Sequence, residues 1–151
     1  MNLKIEEDTP KTAEHILVCL SAAPSNQKIV DTAAKMANVL QARFTALYVQ
    51  TGTKSEALDK EKLEEHIRYA ERLGAEIVMT HGENIPVQIA EYARLSNVTK
   101  IVIGQSNARR NHFFSKSALT EKLIEIVPDI DIHIIPDAVK TSSYQKHPFR
   151  S

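Results

Sequence analysis

The sequence predicts an α/β protein with a Rossmann-like, five-stranded parallel sheet that carries helices on both faces. Short runs of β-branched and apolar residues alternate along the chain with segments whose apolar residues recur at helical spacing. Helices of this length between strands imply right-handed crossovers. Such crossovers make neighbouring strands parallel and place helices on both sides of the sheet.

Five runs have the composition of buried strands. The first, residues 16–20, is apolar at every position, as expected of a strand that is covered on both faces. The last is followed by Pro136, which cannot donate a hydrogen bond to a neighbouring strand. In chain order the predicted strands are 16–20, 44–49, 76–80, 101–104 and 130–135.

Four helical segments connect these strands, the second of them long and charged at 55–73. Ser25 and Asn84 are suitable N-caps for the first and third helices, and Gly74 is suited to end the second. Apolar residues at helical spacing predict the side of each helix that faces the sheet. These residues are Ile29, Ala33, Ala37 and Leu40, then Leu63, Ile67, Ala70 and Leu73, then Ile85, Ile89 and Ala93, and finally Leu119, Leu123, Ile126 and Val127.

Length and composition predict a single domain at 15–137 between polar segments at 1–14 and 138–151. Lys+Arg and Asp+Glu both number 19, and this balance disfavours a general nucleic-acid binder. No apolar run approaches the roughly 20 residues of a membrane span, and the first residues lack the form of a signal peptide. The single cysteine, Cys19, lies in an apolar run and is expected to be a small buried side chain. We therefore expect a cytoplasmic protein without membrane contact.

Sequence patterns that carry catalysis or metal binding are missing. The four glycines, at 52, 74, 82 and 104, cannot form a Walker A loop. The six histidines show no spacing typical of metal ligands, and H-E-x-x-H, C-x-x-C and G-x-S-x-G do not occur. We therefore expect no catalytic residue, no metal and no resident cofactor.

Ligands of open parallel sheets bind beyond the carboxyl ends of the strands, where the direction of winding reverses. Small and polar residues follow two of the predicted strands at this edge. They are Ser21, Ala22 and Ala23 after the first strand, and Gly104 and Gln105 at the end of the fourth. Such residues let a ligand approach the backbone closely, although any α/β protein also uses small residues to turn from a strand into a helix.

The segment 105–118 brings positive charge to the same edge of an otherwise neutral protein. Arg109, Arg110 and Lys116 follow the fourth strand, and the next helix begins near Ser117. Guanidinium groups and helix N-termini both favour phosphate. The segment therefore predicts an anionic ligand, with a solvated basic loop as the alternative.

Three segments spread over most of the chain carry a family resemblance: ILVCLS at 16–21, AERLGAE at 70–76 and VTKIVIGQ at 98–105. Through them the core resembles the universal stress protein family, and more closely the stress-protein-like domain of KdpD-type potassium sensor kinases. The resemblance implies a parallel sheet of strand order 3-2-1-4-5. It also implies a homodimer formed through the last strand, from Ile130 to Ile135.

Family members that bind ATP carry the pattern G-x-x-G, nine residues, G-[ST]. The matching positions here are Gly104, Asn107, Ser117 and Ala118, so only the first glycine is present. The aspartate that such members place after the first strand is Ser21 in this sequence. The resemblance thus implies a poorer site for ATP, which stays an alternative ligand.

The chain also resembles a second pattern, which occurs in some KdpD-type domains and is associated with the messenger cyclic di-AMP: S-x-S, twenty residues, F-T-A-x-Y. Here residues 21–23 are Ser-Ala-Ala, twenty residues follow, and 44–48 are Phe-Thr-Ala-Leu-Tyr. Strand alternation places Phe44, Ala46 and Tyr48 on one face, and an aromatic ring near the strand end can stack on adenine. Without the resemblance, the two aromatic residues would be interpreted as core.

These observations predict a regulatory module that binds cyclic di-AMP, or alternatively ATP. The resemblance implies a link to potassium homeostasis, through a sensor kinase or a potassium transport system. A dimeric interaction protein without a ligand is the alternative from another class. The predicted nucleotide-binding residues are Ser21, Ala22, Ala23, Phe44, Thr45, Ala46, Tyr48, Gly104, Gln105, Arg109, Arg110 and Ser117.

Overall fold

The computed structural model describes residues 13–21, 26–52, 57–105 and 118–136. Within these ranges five strands alternate with four helices, as predicted, and each strand end lies within one residue of its predicted position. The strands are β1 (His15–Cys19), β2 (Arg43–Gln50), β3 (Glu76–His81), β4 (Lys100–Gly104) and β5 (Asp131–Ile135). The helices are α1 (Asn26–Leu40), α2 (Ala57–Arg72), α3 (Ile85–Leu95) and α4 (Ala118–Ile126).

The described strands form one parallel sheet of order β3-β2-β1-β4-β5, which confirms the predicted topology. The central strand is β1, which pairs with β2 on one side and with β4 on the other. From β1 the chain winds outward through β2 to β3, and it then returns to the other side of β1 to form β4 and β5. The winding therefore reverses between β1 and β4.

Two hydrophobic clusters pack on opposite faces of this sheet. Ile16, Val18 and Leu20 point to one side, where they pack against α1 and α2. Leu17 and Cys19 point to the other side and pack against α3 and α4. Successive side chains of a strand alternate between faces, so the all-apolar sequence of β1 supplies both clusters. We call these sides the α1/α2 face and the α3/α4 face.

Most inward helix residues predicted from periodicity are buried or partly buried, but two at helix ends are not. Leu40 and Leu73 are 40% and 39% exposed, so the prediction for them was wrong. Leu40 is the last residue of α1 and Leu73 follows the end of α2, where the chain already turns toward the next strand. Gly74 has φ +98°, the left-handed conformation expected of a residue that ends a helix.

Two smaller predictions are also confirmed. The Asn84 side chain accepts a hydrogen bond from the Val87 N–H at 3.3 Å and so caps α3. Cys19 is buried, and burial raises the pKa of its thiol to about 12, which keeps it in the unreactive protonated form. The predicted cap Ser25 lies outside the described residues. None of the described helices is long and apolar enough to cross a bilayer.

Candidate functional site

The reversal of winding places the ends of β1 and β4 next to each other at the carboxyl edge of the sheet. Their register pairs Val18 with Val102. If this register is continued by three residues, Ser21 lies beside Gln105. Ser21 and Gln105, two of the residues predicted to approach a ligand, are therefore expected to be neighbours at the point where open parallel sheets bind their ligands.

Ser21 is held in place by the first residue of α1. Its backbone N–H donates to Oδ1 of Asn26 at 2.9 Å, and its hydroxyl oxygen accepts from Nδ2 of the same side chain at 3.3 Å. Asn26 is fully buried. One buried amide thus binds both a backbone and a side-chain group of Ser21, which fixes the path of the chain where it leaves β1.

A further contact reaches Ser21 from α2. Nδ1 of His66 lies 3.0 Å from the carbonyl oxygen of Ser21. A carbonyl oxygen can only accept, so the Nδ1 nitrogen carries the proton and donates it. The predicted set omits His66, although residue 66 falls on the inward stripe of α2 between Leu63 and Ala70. A polar residue on that stripe is the signal that could have identified it.

Tyr69, one turn after His66, joins α2 to α1. Its hydroxyl donates to Oδ1 of Asp31 at 2.5 Å, and this hydrogen bond raises the pKa of Tyr69. The guanidinium of Arg72 lies 5.5 Å from the centre of the Tyr69 ring. The hydrogen bond from Tyr69 to Asp31 holds together the two helices that supply the side chains around Ser21.

The aromatic residues of β2 lie on the α1/α2 face together with Ala46, as alternation predicted. Phe44 pairs with Ile16 near the start of β1, so its ring is remote from the carboxyl edge. Tyr48 lies at the other end of the strand, level with Leu20 when the β1–β2 register is extended by one residue. Of the two partly buried rings, only that of Tyr48 is therefore near the end of β1.

The Thr45 side chain is directed to the α3/α4 face, where it is fully buried. Its hydroxyl lies 2.8 Å from Nε2 of His15, and Nδ1 of the same ring donates to the carbonyl oxygen of Ser96 at 2.9 Å. With the proton on Nδ1, Nε2 accepts from Thr45. The structure thus places Thr45 in a polar network near the start of β1 and does not bring it together with Ser21.

No family model matches the sequence. The sensor protein KdpD of Clostridium acetobutylicum is 40% identical over 139 residues, which are 90% of this chain and 15% of that protein. A universal stress protein solved in complex with cAMP has a TM-score of 0.61 at 16% identity and covers 85% of this chain and 100% of its own. A universal stress protein of Archaeoglobus fulgidus, solved with dAMP, has a TM-score of 0.52 at 18% identity, with coverages of 84% and 99%.

The chain has the universal stress protein fold. Over most of its length it is also homologous to one short part of KdpD, so the resemblance seen in the sequence is confirmed. Of the family's ATP-binding pattern it keeps Gly104, which is buried at the end of β4. A β-carbon at this position would lie 2.3 Å from Cδ1 of Ile29 in α1. The packing of α1 on the sheet is therefore by itself a reason for a glycine here.

Several predicted site residues lie outside the described part of the universal stress protein fold. They are Ala22, Ala23, Arg109, Arg110 and Ser117. The phosphate-binding half of the predicted site thus stays a prediction. Within the described ranges, no group of three or more metal-ligating side chains comes together.

An open pocket of about 310 Å³ lies away from this edge, between the C-terminal ends of α1 and α2. Its lining includes Ala37, Gln41, Phe44 and Gly74 and contains no charged side chain. A phosphate-bearing ligand needs cationic or N–H donors, which this lining does not concentrate. We therefore place the candidate site at Ser21 and not in this pocket.

Proposed function

We propose that this chain is a regulatory module that senses an adenine nucleotide at the carboxyl edge of β1 and β4, with cyclic di-AMP as its first ligand. The observation that carries the proposal is the fixation of Ser21 by Asn26 and His66 where the winding reverses. Polar groups that are already ordered lose little entropy when a ligand binds them.

Two further findings support the class of ligand and the role. Universal stress proteins with this fold have been solved with cAMP and with dAMP, both adenine nucleotides. The 40% identical relative is a sensor protein, which supports a part in signalling. We propose that it reports to a sensor kinase or to a potassium transport system.

The ranking of cyclic di-AMP over ATP rests on the sequence. Residues 21–23 and 44–48 follow the cyclic di-AMP pattern with Ala23 as the single difference, whereas Asn107, Ser117 and Ala118 depart from the ATP pattern. Calorimetric titration with cyclic di-AMP, AMP and ATP tests this ranking. We expect ATP to bind at least about tenfold more weakly than cyclic di-AMP, which is about 1.4 kcal/mol. Equal or tighter ATP binding would reverse the ranking, and a chain that binds none of the three would refute the proposed function.

Tyr48 is proposed to stack on the adenine. Tyr48→Ala should weaken cyclic di-AMP binding by about 1–3 kcal/mol, the range found for bases on aromatic side chains. Tyr48→Phe keeps the ring and serves as the matched control, which should bind within a few-fold of the parent. Unfolding curves of both variants separate lost binding from lost structure. If Tyr48→Ala folds and binds like the parent, the ring is not part of the site.

The ligand-free alternative is favoured by one observation on the last strand. β5 is an edge strand of the described sheet, and Ile134 is 44% exposed. An apolar strand edge without a neighbour invites pairing with another chain. We propose a homodimer through β5, which sedimentation at micromolar concentration should detect and Ile134→Lys should weaken. A monomeric parent chain would contradict the dimer without affecting the nucleotide proposal.

A further inference from the structure

His66 has one ring nitrogen in use and one that is open. Nδ1 donates to the carbonyl oxygen of Ser21, while Nε2 has no hydrogen-bond partner among the described residues. The buried side-chain atoms without a partner in these ranges are Oγ1 of Thr80, Oγ1 of Thr120 and Nε2 of His133. The His66 side chain itself is partly exposed, so a ligand can reach it.

The orientation of the His66 ring is fixed by its surroundings. Leu63 and Ala70, on the same stripe of α2, are buried against the α1/α2 face. Tyr69 ties the following turn of the helix to Asp31. Because the Ser21 carbonyl requires the proton on Nδ1, the neutral ring presents a lone pair at Nε2. In the neutral ring, the open nitrogen is therefore an acceptor of hydrogen bonds.

We propose that His66 is a specificity-determining residue of the nucleotide site, where its Nε2 accepts a hydrogen bond from a neutral donor on the nucleoside. Two donors have this chemistry, the exocyclic amine of adenine and the 2′-hydroxyl of ribose. The inference rests on the proposed function. A contact of this kind would explain selectivity for adenine. A keto group in place of the adenine amine has no proton to donate, and its lone pair would repel the lone pair of Nε2.

The position of His66 supports a contact with the nucleoside. Its ring touches Ser21 at the end of β1, and it lies on the same face of the sheet as Tyr48, the proposed stacking residue. Asn26, the other side chain on Ser21, is fully buried, and its amide already bonds the N–H and hydroxyl of Ser21. Among the described side chains bonded to Ser21, His66 is the one that keeps an open acceptor.

The test compares AMP with two analogues, inosine monophosphate, which has a keto group in place of the amine, and 2′-deoxy-AMP, which lacks the hydroxyl. The parent chain should bind AMP about tenfold more tightly than one of the two, and that analogue identifies the donor. His66→Asn keeps an amide N–H near the Ser21 carbonyl but has no atom at the position of Nε2. This variant should lose the preference by losing AMP affinity, with the Kd of the weaker analogue unchanged.

His81→Asn is the matched control, since His81 is an exposed histidine at the end of β3, and it should keep the parent's preference. Equal affinities of the parent for AMP and both analogues would overturn the inference, and so would a folded His66→Asn variant with the parent's preference. If His66→Asn does not fold, His66→Leu, which has no hydrogen-bonding atom, replaces it, and an unchanged preference in that variant is equally decisive against the inference. A parent chain that binds no nucleotide refutes the proposed function instead.

Discussion

The polar groups at the amino edge of the sheet differ from those at the carboxyl edge in how completely they are hydrogen-bonded. At the amino edge, the Thr99 hydroxyl accepts from the His15 N–H at 3.0 Å and donates to Oε1 of Glu14 at 2.6 Å. Both ring nitrogens of His15 are bonded, and this residue is only 2% exposed. Lys100 adds an ion pair to Asp131 at 3.0 Å. The polar groups of His15 and Thr99 are thus all bonded within the protein.

At the carboxyl edge the network is incomplete. Asn26 and His66 both bind Ser21, yet Nε2 of His66 stays without a partner in the described part of the chain. A saturated buried network stabilises a fold, whereas an ordered but open one provides hydrogen bonds for a ligand. The comparison predicts that changes to the hydrogen-bond network of His15 at the amino edge affect unfolding and that changes to His66 at the carboxyl edge affect binding.

The largest effect is expected for Thr45→Val, with Thr80→Val as its control. Both hydroxyls are buried, but that of Thr45 bonds His15 and that of Thr80 has no partner among the described residues. Thr45→Val leaves Nε2 of His15 unpaired and should lower the free energy of unfolding by about 1–3 kcal/mol. Thr80→Val removes a hydroxyl that bonds nothing and should be neutral or stabilising. Urea unfolding measures the free energy of unfolding of both variants. Similar losses in the two would contradict the role given to the Thr45 hydroxyl.

A smaller effect is expected for Gly104→Ala, which tests whether this glycine at the carboxyl edge serves packing. The new β-carbon would meet Cδ1 of Ile29, a terminal methyl that can give way in part, so we expect a loss of about 1 kcal/mol. Ile29→Val removes that methyl. The double variant should therefore lose less stability than the sum of the single variants. Strict additivity in thermal or urea unfolding would argue against the packing role.

The smallest effect is the pH dependence contributed by His15. Burial lowers the pKa of His15, and the unfolded chain has a histidine pKa of about 6.5. The folded state thus binds this proton less readily than the unfolded state does. The contribution is fully present above pH ~6.5 and is lost as pH falls from there toward the lower folded pKa. Unfolding free energies at several pH values should show a steeper acid decline for the parent than for His15→Phe, and equal slopes would contradict this role.

Periodicity and composition were enough to predict the order of strands and helices, because each element buries a face that its own sequence specifies. The strand order required the family resemblance, since local patterns do not say which strands pair. Leu40 and Leu73 show the limit of periodicity, because a helical stripe does not indicate where the helix ends.

The site was predicted less completely for a related reason. His66 lies 45 residues from Ser21 and His15 lies 30 residues from Thr45, so neither contact can be inferred from local spacing. Residues 44–48 form one sequence pattern, but its members lie in different places. Tyr48 lies at the carboxyl edge, and Thr45 belongs to the amino-edge network. The register of the strands, which the sequence does not specify, is needed to tell them apart. Of the residues predicted at the end of β1, Ser21 is described, and it follows the strand beside which the winding reverses.

The central position of β1 also bears on the order in which the protein can assemble during synthesis. Of the described strands, β1 is the first to be synthesised, and every residue in it is buried in the finished fold. One neighbour, β2, follows closely, but β4 begins at Lys100, and the His15–Thr99 contact spans 84 residues. Pairings of such long range form late. Until β4 emerges, the apolar flank of β1 is an open strand edge, so chains that stop short of Lys100 should aggregate, whereas chains that include β4 should not.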